Sequence, residues 1–248
     1  MSENQIIIVT GSAQGIGFAV AQKIVEAGSQ VIIADFNEEA GQGAVKKLGT
    51  RAHFKRLNVS SKENWEQLFD DVIAEFGRVD GLVNSAGITG GSDDVEHEAL
   101  DDWDLVFDVN VKGTFLGSQQ AMKHMVHGGA IVNISSMAGL YAEPVAVAYS
   151  ASKGAVRMLT KHSALYGATK EHPIRVNTVY PGSTKTPMVE EITRLQPEVM
   201  QAQLNKVPLK EFADPMDIAN MVYYLISDQA RYITGGDFVV DGGMSAGF

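Results

Sequence analysis

Four β-branched apolar residues, Ile6-Ile7-Ile8-Val9, run without a polar break into Thr10-Gly11-Ser12-Ala13-Gln14-Gly15-Ile16-Gly17. A continuous apolar run of this length fits a strand buried on both faces, as in a parallel sheet covered by helices. The glycines allow a tight turn and a close approach of backbone to ligand. A helix is expected to begin around Gly15, with Ala19, Val20, Ile24 and Val25 on its apolar face and Gly28 at its end. Its first-turn N–H groups lack helical partners, so such a turn can cradle a pyrophosphate. The spacing is Gly-x-x-x-Gly-x-Gly, and the glycines alone would also suit an ordinary strand-to-helix loop.

The second strand, Val31-Ile32-Ile33-Ala34, ends in Asp35, which follows Gly17 by the roughly 20 residues typical of a dinucleotide fold. A carboxylate there can accept hydrogen bonds from an adenosine ribose and repels a 2′-phosphate. The residues at hand, Ser12, Ala13 and Phe36, bring no cation to hold that phosphate, so the pattern favours NAD over NADP. Asp35 could instead cap the helix starting near Glu38.

The alternation continues. Strands are expected at Ala52 to Asn58, Leu82-Val83, Ala130 to Ile134, Ile174 to Val179 and Asp237 to Val240. Helices are expected at Trp65 to Phe76, around Trp103, Leu105 and Val106, through Leu105 to Met125, from Tyr149 onward, over Met188 to Leu209 and over Asp217 to Ile226. The acidic segment Ser92 to Glu98 reads as a solvated loop and Pro181-Gly182 as a turn. This order predicts an α/β fold, a doubly wound parallel sheet of the Rossmann type, as one domain over residues 1–248. Small residues at strand ends, Asn84-Ser85-Ala86-Gly87, leave space for a ligand where open α/β sheets bind theirs.

Composition narrows the function. A net charge of -10 argues against nucleic-acid or anionic-membrane binding, and the absence of cysteine excludes disulfides and thiolate chemistry. No run of about 18 apolar residues occurs, and Met-Ser-Glu-Asn-Gln does not resemble a signal peptide, so a cytoplasmic protein acting on small molecules is expected. His124 and His127 lie three apart, but no third ligand is evident and no catalytic metal is expected.

Tyr149 and Lys153 stand four apart, which puts both on one helix face. A fixed positive charge near a phenol favours the phenolate, so the pair can act as a general acid/base with a lowered tyrosine pKa. Ser136, just past the strand ending at Ile134, is placed to donate to a carbonyl oxygen. Asn110 lies within an apolar helical run, where its amide is either satisfied structurally or marks a kink that presents a carbonyl to water.

Taken together, Thr10 to Gly17, Asn84 to Gly87, Asn110, Ser136, Tyr149 with Lys153, and Pro181-Gly182 resemble the short-chain dehydrogenase/reductase family over essentially the whole chain. Ala151 to Val156, Arg175-Val176-Asn177, Thr234-Gly235-Gly236 and Val240 to Gly243 are most similar to its bacterial secondary-alcohol dehydrogenases. The resemblance implies a catalytic tetrad of Asn110, Ser136, Tyr149 and Lys153, with Tyr149 as acid/base, Ser136 holding the substrate oxygen and Lys153 also binding the nicotinamide ribose. Asn110 would hold a water in a proton relay to Lys153. It further implies NAD contacts from Gly11, Ser12, Gln14, Gly15, Ile16, Gly17, Asp35 and Phe36. Adenine would lie beside Asn58 and Val59. Asn84, Ala86, Gly87, Pro181, Gly182, Thr184 and Thr186 would complete the site, the two threonines near the nicotinamide amide. Ser85 and Asn58 depart from the family's frequent asparagine and aspartate. A substrate lid at about 188–209 and a homotetramer are implied too. Met188, Leu195, Met200 and Leu204 fit either pocket or core, and Leu140, Ala142 and Glu143 are candidate pocket walls. A 3-oxoacyl carrier-protein reductase, a steroid or polyol dehydrogenase and a non-catalytic NAD-binding sensor share much of this pattern.

Overall fold

β-branched runs and glycine turns alternate with amphipathic segments, and the chain resolves them into one seven-stranded sheet with helices on both faces. The computed structural model describes residues 4–91, 93–142, 145–195 and 197–247. The strands are β1 (Ile6–Thr10), β2 (Gln30–Asp35), β3 (Ala52–Arg56), β4 (Gly81–Asn84), β5 (Gly129–Ile134), β6 (Ile174–Pro181) and β7 (Asp237–Val240). They pair in parallel throughout, in the order β3-β2-β1-β4-β5-β6-β7. The helices are α1 (Gly15–Glu26), α2 (Glu38–Leu48), α3 (Lys62–Phe76), α4 (Leu100–Phe107), α5 (Gly113–His124), α6 (Val147–Gly167), α7 (Pro187–Leu195), α8 (Pro197–Lys206) and α9 (Pro215–Ile226). No helix among the described residues is long and apolar enough to cross a membrane.

The unbroken apolar runs follow from burial on both sides of the sheet. Ile7 and Val9 pack with Val20, Ile24, Val222 and Leu225 on one face, whereas Ile8 packs with Leu82, Trp65 and Phe69 on the other. Each fully buried side chain of this size stabilises the fold by about 2 kcal/mol. The sheet is therefore a rigid platform for whatever sits at its carboxyl edge.

Four expectations are corrected locally. β3 stops at Arg56 and not at Asn58, because the Asn58 side chain turns back to accept from the Ser60 N–H at 3.1 Å and the Ser60 hydroxyl at 2.8 Å. The run from Leu105 to Met125 is not one α-helix: a π turn over Asp108–Lys112 divides α4 from α5. The segment Met188 to Leu209 divides into α7 and α8, with Pro197 opening the second. Pro181 lies within β6, in register with Val240, and the next N–H, that of Gly182, bonds the Val240 carbonyl at 2.9 Å.

Candidate active site

β1 is hydrogen-bonded to β2 on one side and β4 on the other, so the chain order reverses at its carboxyl end. Open α/β sheets bind ligands in the crevice formed at such a point. Thr10 ties the two loops there together: its hydroxyl oxygen accepts from the N–H groups of Ser85 and Ala86, both at 3.0 Å. Gly11 has a φ of +61°, and a Cβ on it would come within 2.7 Å of the Ala86 Cα. A Cβ on Gly17 would lie 2.4 Å from the Gly11 carbonyl oxygen. Both glycines are thus required by close packing of the turn, and α1 starts on Gln14 without any side-chain cap. Its first-turn N–H groups are left for an anion.

A single cavity of about 670 Å³ runs from this turn to α6 and α7, within the usual size of small-molecule sites. Gly11, Gln14, Gly15, Ile16 and Gly17 line one side, and Asp35, Phe36, Asn58 and Val59 close the far end. Ala86, Gly87, Pro181, Gly182, Thr184 and Thr186 line it as well. Ser12 and Asn84 lie beneath it: the Ser12 hydroxyl donates to the Val9 carbonyl at 2.6 Å, and the Asn84 amide donates to Asn133 Oδ1 at 2.8 Å. These two side chains support the floor and do not face the cavity.

Asp35 is no helix cap. Asn37 caps α2, accepting from the Ala40 N–H at 3.0 Å. The Asp35 carboxylate instead accepts from the Ala13 N–H and the Asn37 N–H, both at 3.0 Å, which fixes it at the cavity end with lone pairs to spare. One neighbour escapes a reading along the chain: the β2–β3 register sets Arg56 opposite Asp35, and its guanidinium lies 5.2 Å from the Phe36 ring centre.

At the other end, Ser136, Tyr149 and Lys153 converge on the cavity wall. The Ser136 side chain accepts from the Ala138 N–H at 3.2 Å and shares the wall with the Tyr149 phenol. Lys153 Nζ lies 5.5 Å from the Tyr149 ring centre and donates to the Ile134 carbonyl at 3.1 Å. Burial pushes the phenol above its ordinary range, and the nearby Ser136 hydroxyl only partly offsets this. Burial also lowers the Lys153 pKa to about 8. The expectation that Lys153 leaves the phenol lowered is therefore corrected for the protein without ligand, because desolvation dominates.

Asn110 does not line the cavity; it holds the cavity together from behind. Its Oδ1 accepts from the Ile88 N–H at 2.9 Å, while Nδ2 donates to the Ile88 carbonyl at 2.9 Å and to Ser152 Oγ at 3.0 Å. Its side chain is satisfied, the structural alternative read from the sequence, and its backbone is kinked as well. The π turn centred on it frees carbonyls from the regular ladder, and the Asn110 carbonyl accepts the Thr114 hydroxyl at 2.7 Å. Gly87 permits this crowding: a Cβ there would meet Asn110 Oδ1 at 3.2 Å and Lys153 Nζ at 3.3 Å. Ala146, just before α6, is left-handed at φ 58°, a strain of about 1 kcal/mol at the entry to the helix that carries Tyr149 and Lys153.

The remaining wall is apolar, with Ile88, Leu105, Val109, Met188 and Val189 facing the cavity. Met200 is core, Leu195 is exposed, Leu204 is half-buried, and Leu140 and Ala142 do not line the cavity. Glu143 lies outside the described residues. His124 packs its ring against Phe69, and His127 lies beside His172.

A glycine turn at an uncapped helix, a carboxylate at the end of β2, and a Ser-Tyr-Lys group on one cavity are the features of a nicotinamide-dependent oxidoreductase. Residues 11–245 match a family model described as enoyl-(acyl carrier protein) reductase. The chain belongs to the short-chain dehydrogenase/reductase family. Relatives in this family include the NADP-dependent (R)-specific alcohol dehydrogenase of Lentilactobacillus kefiri, 40% identical over 98% of both chains. The cyclopentanol dehydrogenase of Comamonas testosteroni is 39% identical over 98% of both chains. Glucose 1-dehydrogenase 2 of Bacillus subtilis is 37% identical over 96% of this chain and 93% of its own. The short-chain dehydrogenase/reductase fold thus carries a family of nicotinamide oxidoreductases that includes secondary-alcohol dehydrogenases, and this chain is one of its oxidoreductases.

Proposed function

We propose that the protein interconverts a secondary alcohol and a ketone with NAD, using Tyr149 as the acid/base. The observation that carries this reading is the convergence of Ser136, Tyr149 and buried Lys153 on the same cavity whose far end is the Asp35 carboxylate. Two of the relatives above are named alcohol dehydrogenases, which supports the alcohol–ketone part of the reading; one of them is NADP-dependent, so the choice of NAD rests on Asp35.

The cradle fits a dinucleotide. The first turn of α1, with Gly11, Gly15 and Gly17, would hold the pyrophosphate, Asp35 the adenosine ribose and Lys153 the nicotinamide ribose. When bound, the nicotinamide supplies the hydride acceptor or donor and, when oxidised, a positive charge near the phenol. Ser136 donates to the substrate oxygen and orients it toward Tyr149. In oxidation Tyr149 takes the hydroxyl proton, and in reduction it returns one. Lys153 steadies the phenolate, and a water on the Asn110 carbonyl would replenish the proton through Lys153. The apolar wall from Ile88 to Val189 selects an uncharged, largely hydrocarbon alcohol over a polyol. Met188 and Val189 sit on α7, which buries none of its side chains, in keeping with a lid at about 188–209. A homotetramer belongs to the same reading, and light scattering of the purified protein checks it.

The deciding experiment is a spectrophotometric scan of NAD and NADP against aliphatic, cyclic, aryl, steroid and polyol alcohols, with the matching ketones. Turnover of an apolar alcohol with NAD is expected. Activity confined to NADPH and acyl thioesters would replace this reading with an acyl reductase. NAD binding without turnover of any substrate would replace it with a sensor.

Cofactor choice has its own test. Arg56 stands beside Asp35 in the strand register and stacks on Phe36 without lining the cavity, so a 2′-phosphate at the ribose end would still face Asp35. Asp35→Ala combined with Phe36→Arg removes the repelling charge and adds a partner, so kcat/KM for NADP is expected to rise about tenfold or more relative to NAD. An unchanged ratio contradicts the role given to Asp35.

A further inference from the structure

Three segments meet behind the tetrad: the loop after β4, the π turn and the start of α6. Their junction is one amide and one hydroxyl. Asn110 Nδ2 has two hydrogens, of which one goes to the Ile88 carbonyl at 2.9 Å and the other to Ser152 Oγ at 3.0 Å. The Ser152 hydroxyl has one hydrogen, and it goes to the Tyr149 carbonyl at 2.7 Å. Asn110 is 1% exposed and Ser152 fully buried, so water cannot replace any of these bonds. Every hydrogen at the junction is used once, and each has a single acceptor.

We propose that Ser152 is a positioning residue for the reaction, the link through which Asn110 and the Ile88 wall fix the backbone of Tyr149. The proposal rests on the acid/base reading of Tyr149 given above. Ser152 touches neither cavity nor reacting atoms; it acts on the carbonyl of the residue that does. Tyr149 lies in the first turn of α6, which opens on the left-handed Ala146. Loss of the hydroxyl leaves an Asn110 N–H buried without a partner and frees the Tyr149 carbonyl from the π turn. The phenol then loses register with Ser136, while the glycine cradle and Asp35, at the other end of the cavity, are untouched. A side chain that merely stabilised the fold would not divide its effect in this way.

The test is Ser152→Ala, alone and combined with Asn110→Ala, read as kcat for the best alcohol of the scan and as the Kd of NADH by fluorescence titration. Removing one buried hydrogen bond that acts on a catalytic group is expected to lower kcat roughly tenfold, with Kd for NADH held within about twofold. On the Asn110→Ala background the further loss should be small, because the two residues act as one unit. Wild-type kcat in Ser152→Ala overturns the proposal. So do losses that multiply in the double variant, or a cofactor affinity that falls in step with kcat. Should Ser152→Ala be insoluble, Ser152→Cys, of similar volume but a poorer donor, is measured against the same criteria. A wild-type protein silent on every alcohol would sink the acid/base reading, whereas an active wild type with an unimpaired Ser152→Ala sinks the positioning role alone.

Discussion

Tyr149→Phe is expected to lower alcohol turnover about a thousandfold, within the range that a positioned acid/base contributes, while NADH affinity changes by less than about threefold. The substitution removes one oxygen and keeps the ring that packs at the start of α6. Ser136 and Lys153 keep their places, since Lys153 is held by the Ile134 carbonyl and not by the phenol. The wild type should also show the sign of the phenol's environment. Burial pushes Tyr149 up, so its base form is scarce at neutral pH and grows as pH rises. Alcohol oxidation, which needs the base, is therefore expected to accelerate toward alkaline pH, whereas ketone reduction, which needs the protonated phenol, should slow. Stopped-flow rates across the pH range measure both limbs. A Tyr149→Phe variant within about tenfold of wild type would move the acid/base to another group.

The parts of this molecule legible in the sequence are those set by short-range chemistry. Ile6 to Val9 announces a strand buried on two faces, and the glycines after it announce a turn in which a Cβ at Gly11 or Gly17 has no room. The four-residue spacing of Tyr149 and Lys153 on one helix is equally local. What escapes such reading depends on register between distant segments. Arg56 becomes a neighbour of Asp35 only because β2 and β3 pair in a particular alignment. The π turn at Asn110 arises in a run whose apolar pattern is compatible with a regular helix, and its cause is the amide clamped to Ile88 from another loop. Ser152 did carry a signal, standing three residues after Tyr149 on the same face, but a small polar residue in a helix has many uses. The direction of the Tyr149 shift is not legible for a related reason: spacing places the lysine nearby, whereas burial, which dominates, is a property of the assembled cavity.

Lys153→Met is expected to abolish useful turnover and at the same time to make the protein without cofactor more stable. Lys153 is 5% exposed, and burial lowers its pKa from 10.5 to about 8. A difference of that size costs the folded state about 3 kcal/mol at neutral pH, where the unfolded chain holds the proton far more easily. Methionine fills a similar volume without the charge and forfeits one hydrogen bond to the Ile134 carbonyl, so a net gain of roughly 1–3 kcal/mol is expected. For a chain of this length that is a rise in Tm of about 2–6 °C. The pH dependence fixes the cause. Because the folded pKa lies below the unfolded one, the unfolded state binds more protons between about 8 and 10.5, and wild-type stability climbs through that window. The variant has no such climb, so its advantage should shrink as pH rises and vanish near the upper end. Calorimetry of both proteins at pH 7 and in the alkaline window decides it. A lower Tm for the variant at pH 7, or a gap that does not close with pH, would mean that Lys153 is not held at a desolvation cost. A closing gap would mean that the fold keeps a destabilising ammonium in place because the chemistry at Tyr149 needs it.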